Sequence, residues 1–96
     1  MEVQMGKIKV KHPYITENPN VSQGSPVIQG TRTRIIDIII EYEYLGKTPD
    51  EIVDAHPHLN LAQLHDAISY YYDYREEIDQ EISQRKDKIK ELRNQS

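Results

Sequence analysis

The fold is decided by residues 48–74, which read TPDEIVDAHPHLNLAQLHDAISYYYDY. Thr48 is a good helix N-cap, and Pro49 suits the first helical position. Glu51 follows the cap by three residues and completes a capping box. Pro57 cannot continue this helix and disfavours helical geometry at the residue before it, so the chain must turn there.

A second capped helix begins directly after that turn. Asn60 is its N-cap, and Gln63 lies three residues further on, which repeats the capping-box spacing. Two capped helices joined by about four residues have the outline of a helix-turn-helix. Such a unit usually positions a protein on DNA.

The preceding residues 35–45 contain a run of isoleucines that by propensity alone favours a strand. Their apolar and acidic side chains follow a 3.6-residue period, however, and Gly46 supplies a C-terminal cap. The predicted helices span about 34–45, 49–56 and 61–93. The side chains expected in the core are Ile35, Ile38, Ile39, Tyr42 and Leu45 in the first helix and Leu61, Leu64, Ile68 and Tyr71 in the third. The expected fold class is mainly α, a homeodomain-like three-helix bundle with a helix-turn-helix, a small N-terminal β element near Val27-Ile28 and a long C-terminal helix.

Length and composition limit the class of protein. The 96 residues make one domain with a marginal core, which favours dimerisation. The chain has no cysteine, so it has neither a disulfide framework nor a thiolate metal site. Neither a membrane-spanning apolar run nor a signal peptide is visible, and we expect a soluble, cytoplasmic protein.

Charge is unevenly distributed along the chain. Residues 1–34 carry five basic and two acidic side chains, a net charge of +3. Residues 35–83 carry two basic and twelve acidic side chains, a net charge of −10, and residues 84–96 return to +3 with five basic and two acidic side chains. A simple DNA-binding protein would place its positive field on the recognition unit, and this chain does not.

The C-terminal part of the long helix carries a narrow apolar seam. Its members follow four- and three-residue steps, with an arginine at the remaining position: Ile78, Ile82, Arg85, Ile89 and Leu92. Such a seam suits contact with another helix more than burial in the chain's own domain. The alternative is a frayed, solvated tail. We therefore divide the chain into a basic N-terminal arm (1–11), a homeodomain-like domain (12–76) and a C-terminal helical extension for dimer or partner contact (77–96).

Candidate DNA contacts are few. Gln63 and Ser69 lie on the outer face of the third helix and could bind base edges or phosphates, but Asp66 and Asp73 on the same face repel phosphate. We therefore favour a solvated or protein-binding face over base reading there. The remaining candidates are basic: Lys7, Lys9 and Lys11 on the arm, and Arg32 and Arg34 at the entrance to the first helix.

Each basic group has an alternative role. The lysines of the arm could simply solvate the edge of an extended segment. Arg32 is better explained by an internal pair with an acid such as Asp37, whereas for Arg34 a phosphate contact and a structural contact are equally plausible.

Four tyrosines cluster near the end of the predicted recognition helix. Tyr70, Tyr71, Tyr72 and Tyr74 must point around the whole helical cylinder, so they cannot all be core residues. Exposed tyrosines are favoured at protein interfaces, and the neighbouring acidic residues disfavour base stacking. We predict that Tyr70, Tyr72 and Tyr74 contact a partner protein.

No motif indicates an enzyme or a metal site. His56, His58 and His65 do not have a metal-ligand spacing on a helix, and we interpret the first two as turn residues. The sequence shows no nucleophile with its base, no phosphate loop and no acid pair. We expect neither catalysis nor a cofactor.

The sequence also resembles the domain of unknown function 433 family, a set of small prokaryotic proteins treated as VapB-like antitoxins. The matching elements are Gly24 with Pro26-Val27-Ile28, Gly30-Thr31-Arg32, Asp37-Ile38, the cap at 48–52, Pro57 with Leu59, and Ala67 with 70–73. The resemblance implies a homeodomain-like fold and a type II toxin–antitoxin role, with a PIN-like ribonuclease toxin as partner.

Three functions remain open at this stage. The first is a homodimeric antitoxin that binds operator DNA and blocks its toxin. A basic residue of the extension, Arg85 or Arg93, would then enter the acidic metal site of the ribonuclease. The second is a protein-interaction module without DNA binding, and the third is a stand-alone dimeric transcription regulator.

Overall fold

The computed structural model describes the backbone of residues 11–95 and the side chains of residues 11–86. The elements are β1 (Ile15–Thr16), a 3-10 turn (Ser22–Gly24), β2 (Val27–Ile28), α1 (Ile35–Ile39) with a π-helical continuation (Ile40–Tyr44), α2 (Pro49–Ala55), α3 (Leu61–Asp73) and α4 (Arg75–Gln95). The predicted mainly α fold with a small N-terminal β element is confirmed. Between residues 11 and 95 no helix has both the length and the apolar character needed to cross a membrane.

The β element is a two-stranded antiparallel ribbon. Ile15 lies opposite Ile28 and Thr16 opposite Val27, and Val27 also forms a bridge to Arg34 just before α1. Val27 and Ile28 are fully buried, so the ribbon closes one side of the helical core. A ribbon this short is not stable alone and depends on packing against the helices.

Both predicted capping boxes are present. The Thr48 side chain accepts a hydrogen bond from the Glu51 N–H at 3.2 Å, and the Glu51 carboxylate accepts one from the Thr48 N–H at 2.8 Å. The latter hydrogen bond lowers the pKa of Glu51. Asn60 and Gln63 make the same reciprocal pair at 2.8 and 2.9 Å, after α2 has ended ahead of Pro57. The helix-turn-helix outline is therefore confirmed, because each cap satisfies backbone donors that would otherwise be orphaned.

The first helix is partly π-helical, which the sequence did not indicate. The Leu45 N–H donates to the Ile40 carbonyl five residues earlier, at 2.9 Å. This wider turn moves Leu45 off the apolar face and into solvent. The Leu45 side chain is 63% exposed, so its predicted core position was wrong. The tighter α-helical part buries Ile36 in addition to the predicted isoleucines. Gly46 ends the segment with φ of +72°, as the C-terminal cap prediction required.

The long C-terminal helix is interrupted at Tyr74, so the prediction of one helix from 61 to 93 was wrong. Tyr74 has φ of −125° and ψ of 39°, and α4 begins at the next residue. The break redirects the chain so that Ile78 and Ile82 pack into the core, with 3% and 1% exposure. The prediction that these two isoleucines face another protein was therefore wrong, because their own domain has room for them.

The core is one cluster that draws on every helix. Its buried members are Ile28, Ile35, Ile36, Ile38, Ile39, Ile52, Leu59, Leu64, Ala67, Ile68, Tyr71, Ile78 and Ile82. In α3 the predicted Leu64, Ile68 and Tyr71 are buried together with Ala67, while Leu61, at the first helical position, is 42% exposed. The predicted core position of Leu61 was therefore wrong. Each fully buried isoleucine contributes roughly 1.5–3 kcal/mol, so α4 adds substantially to a core that the sequence alone made marginal.

Candidate interaction surfaces

The outer face of α3, where direct DNA reading was predicted, is already partly occupied by the chain itself. Both ring nitrogens of His12 contact carboxylates of α3: Nδ1 lies 3.0 Å from Asp66 and Nε2 lies 2.6 Å from Asp73. Asp66 also accepts a hydrogen bond from the Tyr14 N–H at 2.9 Å. We call residues 11–14 the strap, because they cross this face and cover it.

The two predicted base-reading residues differ in availability. Gln63 uses its side-chain oxygen in the capping box with Asn60, whereas Ser69 is exposed. Asp66 and Asp73 keep the surroundings acidic, although both contact the strap. The face thus offers one exposed hydroxyl group and two carboxylates, which is a poor arrangement for reading base edges.

The basic candidates for DNA contact differ in whether they are already paired with an acid. Arg34 donates from Nε and Nη2 to Asp37 at 3.0 and 3.3 Å, so the internal pair predicted for Arg32 is made by Arg34. This exchange is explained by register, because Arg34 is the N-cap of α1 and lies one helical turn before Asp37. Arg32 is exposed. Lys11 reaches Asp73 at 3.1 Å, while Lys7 and Lys9 lie outside the described residues.

The four tyrosines point in different directions, as predicted. Tyr71 is buried in the core, with 1% exposure. Tyr70 and Tyr74 lie together on the strap side, with their ring centroids 4.6 Å apart. Tyr72 lies on another side and is 51% exposed.

Tyr70 and Tyr74 line a cleft of about 330 Å³ between the β ribbon and the start of α4. The remaining lining residues are Glu17, Pro26, Glu77, Ile78 and Glu81. Burial, followed by the negative charge of Glu17, raises the pKa of Tyr70 to about 12. We call this feature the acidic cleft, and its wall of rings and carboxylates repels anions such as phosphate.

A second surface joins the π-helical segment to the start of α4. The Arg75 guanidinium lies 5.4 Å from the centre of the Tyr71 ring and 5.7 Å from that of Tyr72, and it is 3.6 Å from Glu43. Tyr44, which is 41% exposed, carries the Lys86 ammonium 4.5 Å from its ring centre. We call Tyr44, Tyr72 and Arg75 the tyrosine–arginine surface.

This surface is held in place by Asp79. Its carboxylate accepts hydrogen bonds from the hydroxyl groups of Tyr44 at 3.1 Å and Tyr71 at 2.8 Å. Arg75 lies one turn earlier on α4, 3.7 Å from Asp79. Partial burial and the hydrogen bond to Asp79 raise the pKa of Tyr44. A fixed network of this kind presents exposed aromatic rings without the entropy cost of ordering them on binding.

The C-terminal candidates are only partly described. Arg85 lies 3.8 Å from Asp37, and its buried Nη1 atom has no hydrogen-bond partner among the side chains and backbone that the structure describes. The side chains of Ile89, Leu92 and Arg93 lie outside the described residues. The predicted partner seam is thus reduced to Arg85 and the positions beyond residue 86, since Ile78 and Ile82 belong to the core.

The histidines of the turn make local contacts. His56 Nε2 lies 2.7 Å from the Glu41 carboxylate, and His58 Nε2 lies 2.8 Å from the Thr33 hydroxyl group. Both therefore tie the helix-turn-helix to the segment that leads into and through α1. Among the described side chains, no group of three or more histidines and acids is arranged to hold a metal ion.

Residues 15–71 match the model of a family described as "Protein of unknown function (DUF433)". The matched region covers the β ribbon, α1, α2 and most of α3, but neither the strap nor α4. The chain belongs to the DUF433 family. It is also similar to the crystal structure of a DUF433 member protein from Anabaena variabilis ATCC 29413, with a TM-score of 0.67 and 29% identity over 85% of this chain and 75% of that chain. A comparison with curated proteins found no match.

Three residues central to the surfaces of this DUF433 chain were not singled out from the sequence. His12, Arg75 and Asp79 were each overlooked because they act through partners from other elements. A lone histidine before a proline has no local signal. The one available hint was Arg75 itself, which is an isolated positive charge in the acidic middle of the chain.

Proposed function

We propose that this DUF433 chain is a protein-binding antitoxin that recognises its partner through the tyrosine–arginine surface. The observation that carries the proposal is the exposure of Tyr44 and Tyr72 around Arg75 on a hydrogen-bonded scaffold. Tyrosine and arginine are the residues most enriched at the energetic centres of protein interfaces. The resemblance to VapB-like proteins supplies the class of partner, a PIN-like ribonuclease toxin in the cytoplasm.

Inhibition of that toxin is the second step of the proposal. A planar guanidinium makes paired hydrogen bonds to carboxylates, so Arg85 or Arg93 is suited to the acidic metal site of a ribonuclease. Arg85 already lies near Asp37 in the free chain, at 3.8 Å, and is 39% exposed. Engagement of a toxin through Arg85 would exchange this long contact for a shorter one.

Operator binding remains part of the proposal but in a secondary role. The strap and the two aspartates disfavour reading of bases by α3, so contacts to DNA would come from Arg32 and the basic arm. A tight operator complex would then require the toxin as a second source of contacts, or a homodimer that doubles the phosphate contacts.

The occupied, acidic face of α3 favours a second candidate, a protein-interaction module without DNA binding. A gel shift with the DNA upstream of the gene distinguishes the two, with the chain alone and with the product of the neighbouring gene. A shift in either sample supports the antitoxin with autoregulation. Absence of any shift, together with a stable protein complex, supports the interaction module.

The binding surface is tested by matched substitutions. Tyr72→Ala should weaken binding to the neighbouring gene product by about thirtyfold or more, which corresponds to a hot spot of about 2 kcal/mol. Tyr14→Ala is the matched control, because Tyr14 is 40% exposed but lies on the strap. Equal affinities for both variants in titration calorimetry would contradict the proposed surface.

Inhibition is tested separately from binding. Replacing Arg85 and Arg93 by lysine keeps both charges and removes the planar fork. We expect the reconstituted complex to regain ribonuclease activity while assembly changes little. Full inhibition by the double variant would contradict the proposal that an arginine enters the acidic site of the toxin, but it would not contradict the proposed binding surface.

A further inference from the structure

His12 has an unusual position for a titratable residue. It is 8% exposed and lies between two carboxylates that belong to one helix, Asp66 and Asp73. Asp66 is itself nine-tenths buried, with 10% side-chain exposure. The contacts link residues separated by 54 and 61 positions, so they attach the strap, near the N-terminal end of the described chain, to α3.

The geometry determines the protonation state. A neutral imidazole carries one N–H, so only one ring nitrogen could donate to a carboxylate. The other would direct its lone pair at a carboxylate oxygen, and the 2.6 Å distance between Nε2 and Asp73 makes that contact strongly repulsive. With both carboxylates ionised, both contacts are favourable only when the ring carries two protons and a positive charge.

The charged and titratable groups around the ring agree with this state. On the strap, Lys11 contacts Asp73 at 3.1 Å, and the Tyr14 N–H donates to Asp66. From α3 and the residue after it, the Tyr70 and Tyr74 rings lie 5.2 and 6.4 Å from His12.

Acids beyond this first set of neighbours act in the same direction. Glu17 of the loop after β1 and Glu77 and Glu81 of α4 raise the pKa of Tyr70, so the surrounding field is negative. The hydrogen bond from His12, followed by that from Lys11, lowers the pKa of Asp73, which keeps this acceptor ionised.

We propose that His12 is a pH-dependent clamp that holds the strap across the outer face of α3 when its imidazole is protonated and releases it when the proton is lost. Release leaves a single His12 hydrogen bond in place of two and turns the Asp73 contact repulsive. The strap then detaches from α3 and uncovers Asp66 and Asp73.

The sign of the pH dependence follows directly. The clamp requires the charged ring, so its contribution is complete when the ring carries both protons and is lost as the pH rises and the ring gives up one of them.

The experiment uses nitrogen-15 spectra and amide exchange on the full chain. At pH 6 we expect protons on both ring nitrogens of His12 and slow exchange of the Tyr14 amide. At pH 9 that amide should exchange roughly tenfold faster than the intrinsic rate increase accounts for, since a charge-assisted hydrogen bond has been lost. Exchange of the Leu64 amide, in the core part of α3, should follow only the intrinsic rate.

Two variants complete the test. His12→Gln should give fast exchange at Tyr14 at both pH values, because glutamine is uncharged and carries both of its N–H donors on one nitrogen, so it cannot replace the charge-assisted hydrogen bonds of two ring nitrogens. His65→Gln is the matched control, since His65 is an exposed histidine of α3 that makes no hydrogen bond to the described residues of the strap. This variant should keep the pH dependence of the Tyr14 exchange. A singly protonated His12 ring at pH 6 would overturn the proposal. So would the same corrected exchange rate of Tyr14 at both pH values.

Discussion

Asp79 shows how one residue can organise a surface. Its carboxylate accepts hydrogen bonds from Tyr44 of the π-helical segment and Tyr71 of α3, and it lies within 3.7 Å of Arg75. Three elements therefore converge on one side chain of α4. The Asp79 carboxylate is partly exposed, and the two hydroxyl groups satisfy its buried side.

The same network makes the fold sensitive to high pH. Burial, followed by the hydrogen bond to Asp79, raises the pKa of Tyr71 to about 12. A group with a raised pKa in the folded state stabilises the fold below its unfolded value, about 10, and this contribution is lost as the pH rises through 12. We expect Tyr71→Phe to flatten the loss of stability between these values. Urea unfolding at several pH values measures it, and the tyrosinate absorbance of the unfolded chain serves as the reference.

Single-residue roles were predictable from the sequence only where the partner is local. Thr48 and Glu51 are three positions apart, and their capping box could be inferred directly. Arg34 and Asp37 are equally close, but neighbouring Arg32 offered a competing assignment that only the backbone register resolves. The pair of His12 with Asp66 spans 54 positions, and no periodicity encodes such a contact.

At the scale of elements, the break at Tyr74 has the largest effect. No glycine or proline marks it, so no local signal predicts a break in the helix there. The isoleucine spacing correctly predicted a helical apolar stripe, but Ile78 and Ile82 pack against their own domain and not against another protein. A stripe shows that a helix buries one face, and tertiary packing decides whether the cover is the same chain or another.

The buried position of α4 gives a direct test by mutation. Ile82→Ala should destabilise the protein by about 2–5 kcal/mol, because Ile82 is fully buried and its loss leaves a cavity. Ser83→Ala, at the exposed neighbouring position, should change the free energy of unfolding by less than about 0.5 kcal/mol. Chemical denaturation measures both variants. Equal stabilities would return Ile82 to the role of a partner-facing seam residue.

The whole molecule is an acidic body with basic ends. The middle 49 positions, 35–83, carry a net charge of −10, while both ends are positive. Several positive groups nearest the body are already paired, as Lys11 with Asp73 and Arg34 with Asp37 show. Dimerisation stays a prediction, and its expected apolar seam is now confined to positions beyond residue 86.

Affinity for DNA should therefore be weak and steeply dependent on salt. The double variant Lys7→Gln, Lys9→Gln should bind all DNA sequences equally more weakly. The slope of the logarithm of the binding constant against the logarithm of the salt concentration should fall by about two, roughly one per lost phosphate contact. Lys11→Gln should have a smaller effect, because Lys11 already contacts Asp73. Gel shifts across a salt series measure these slopes. A tight, sequence-selective and salt-insensitive complex of the chain alone would contradict this distribution of charge.

The π-helical segment has a consequence for changes in chain length. Ile40–Tyr44 fits one more residue into its turn than an α-helix would. A homologue lacking one residue here could continue α1 as a regular helix without opening a gap, so the segment is a natural place for an evolutionary deletion. Because the wider turn absorbs the extra residue, the helices that follow would keep their places after the deletion, while the position of Tyr44 relative to Asp79 would change. Chain length at this one turn is therefore coupled to one member of the tyrosine–arginine surface, Tyr44.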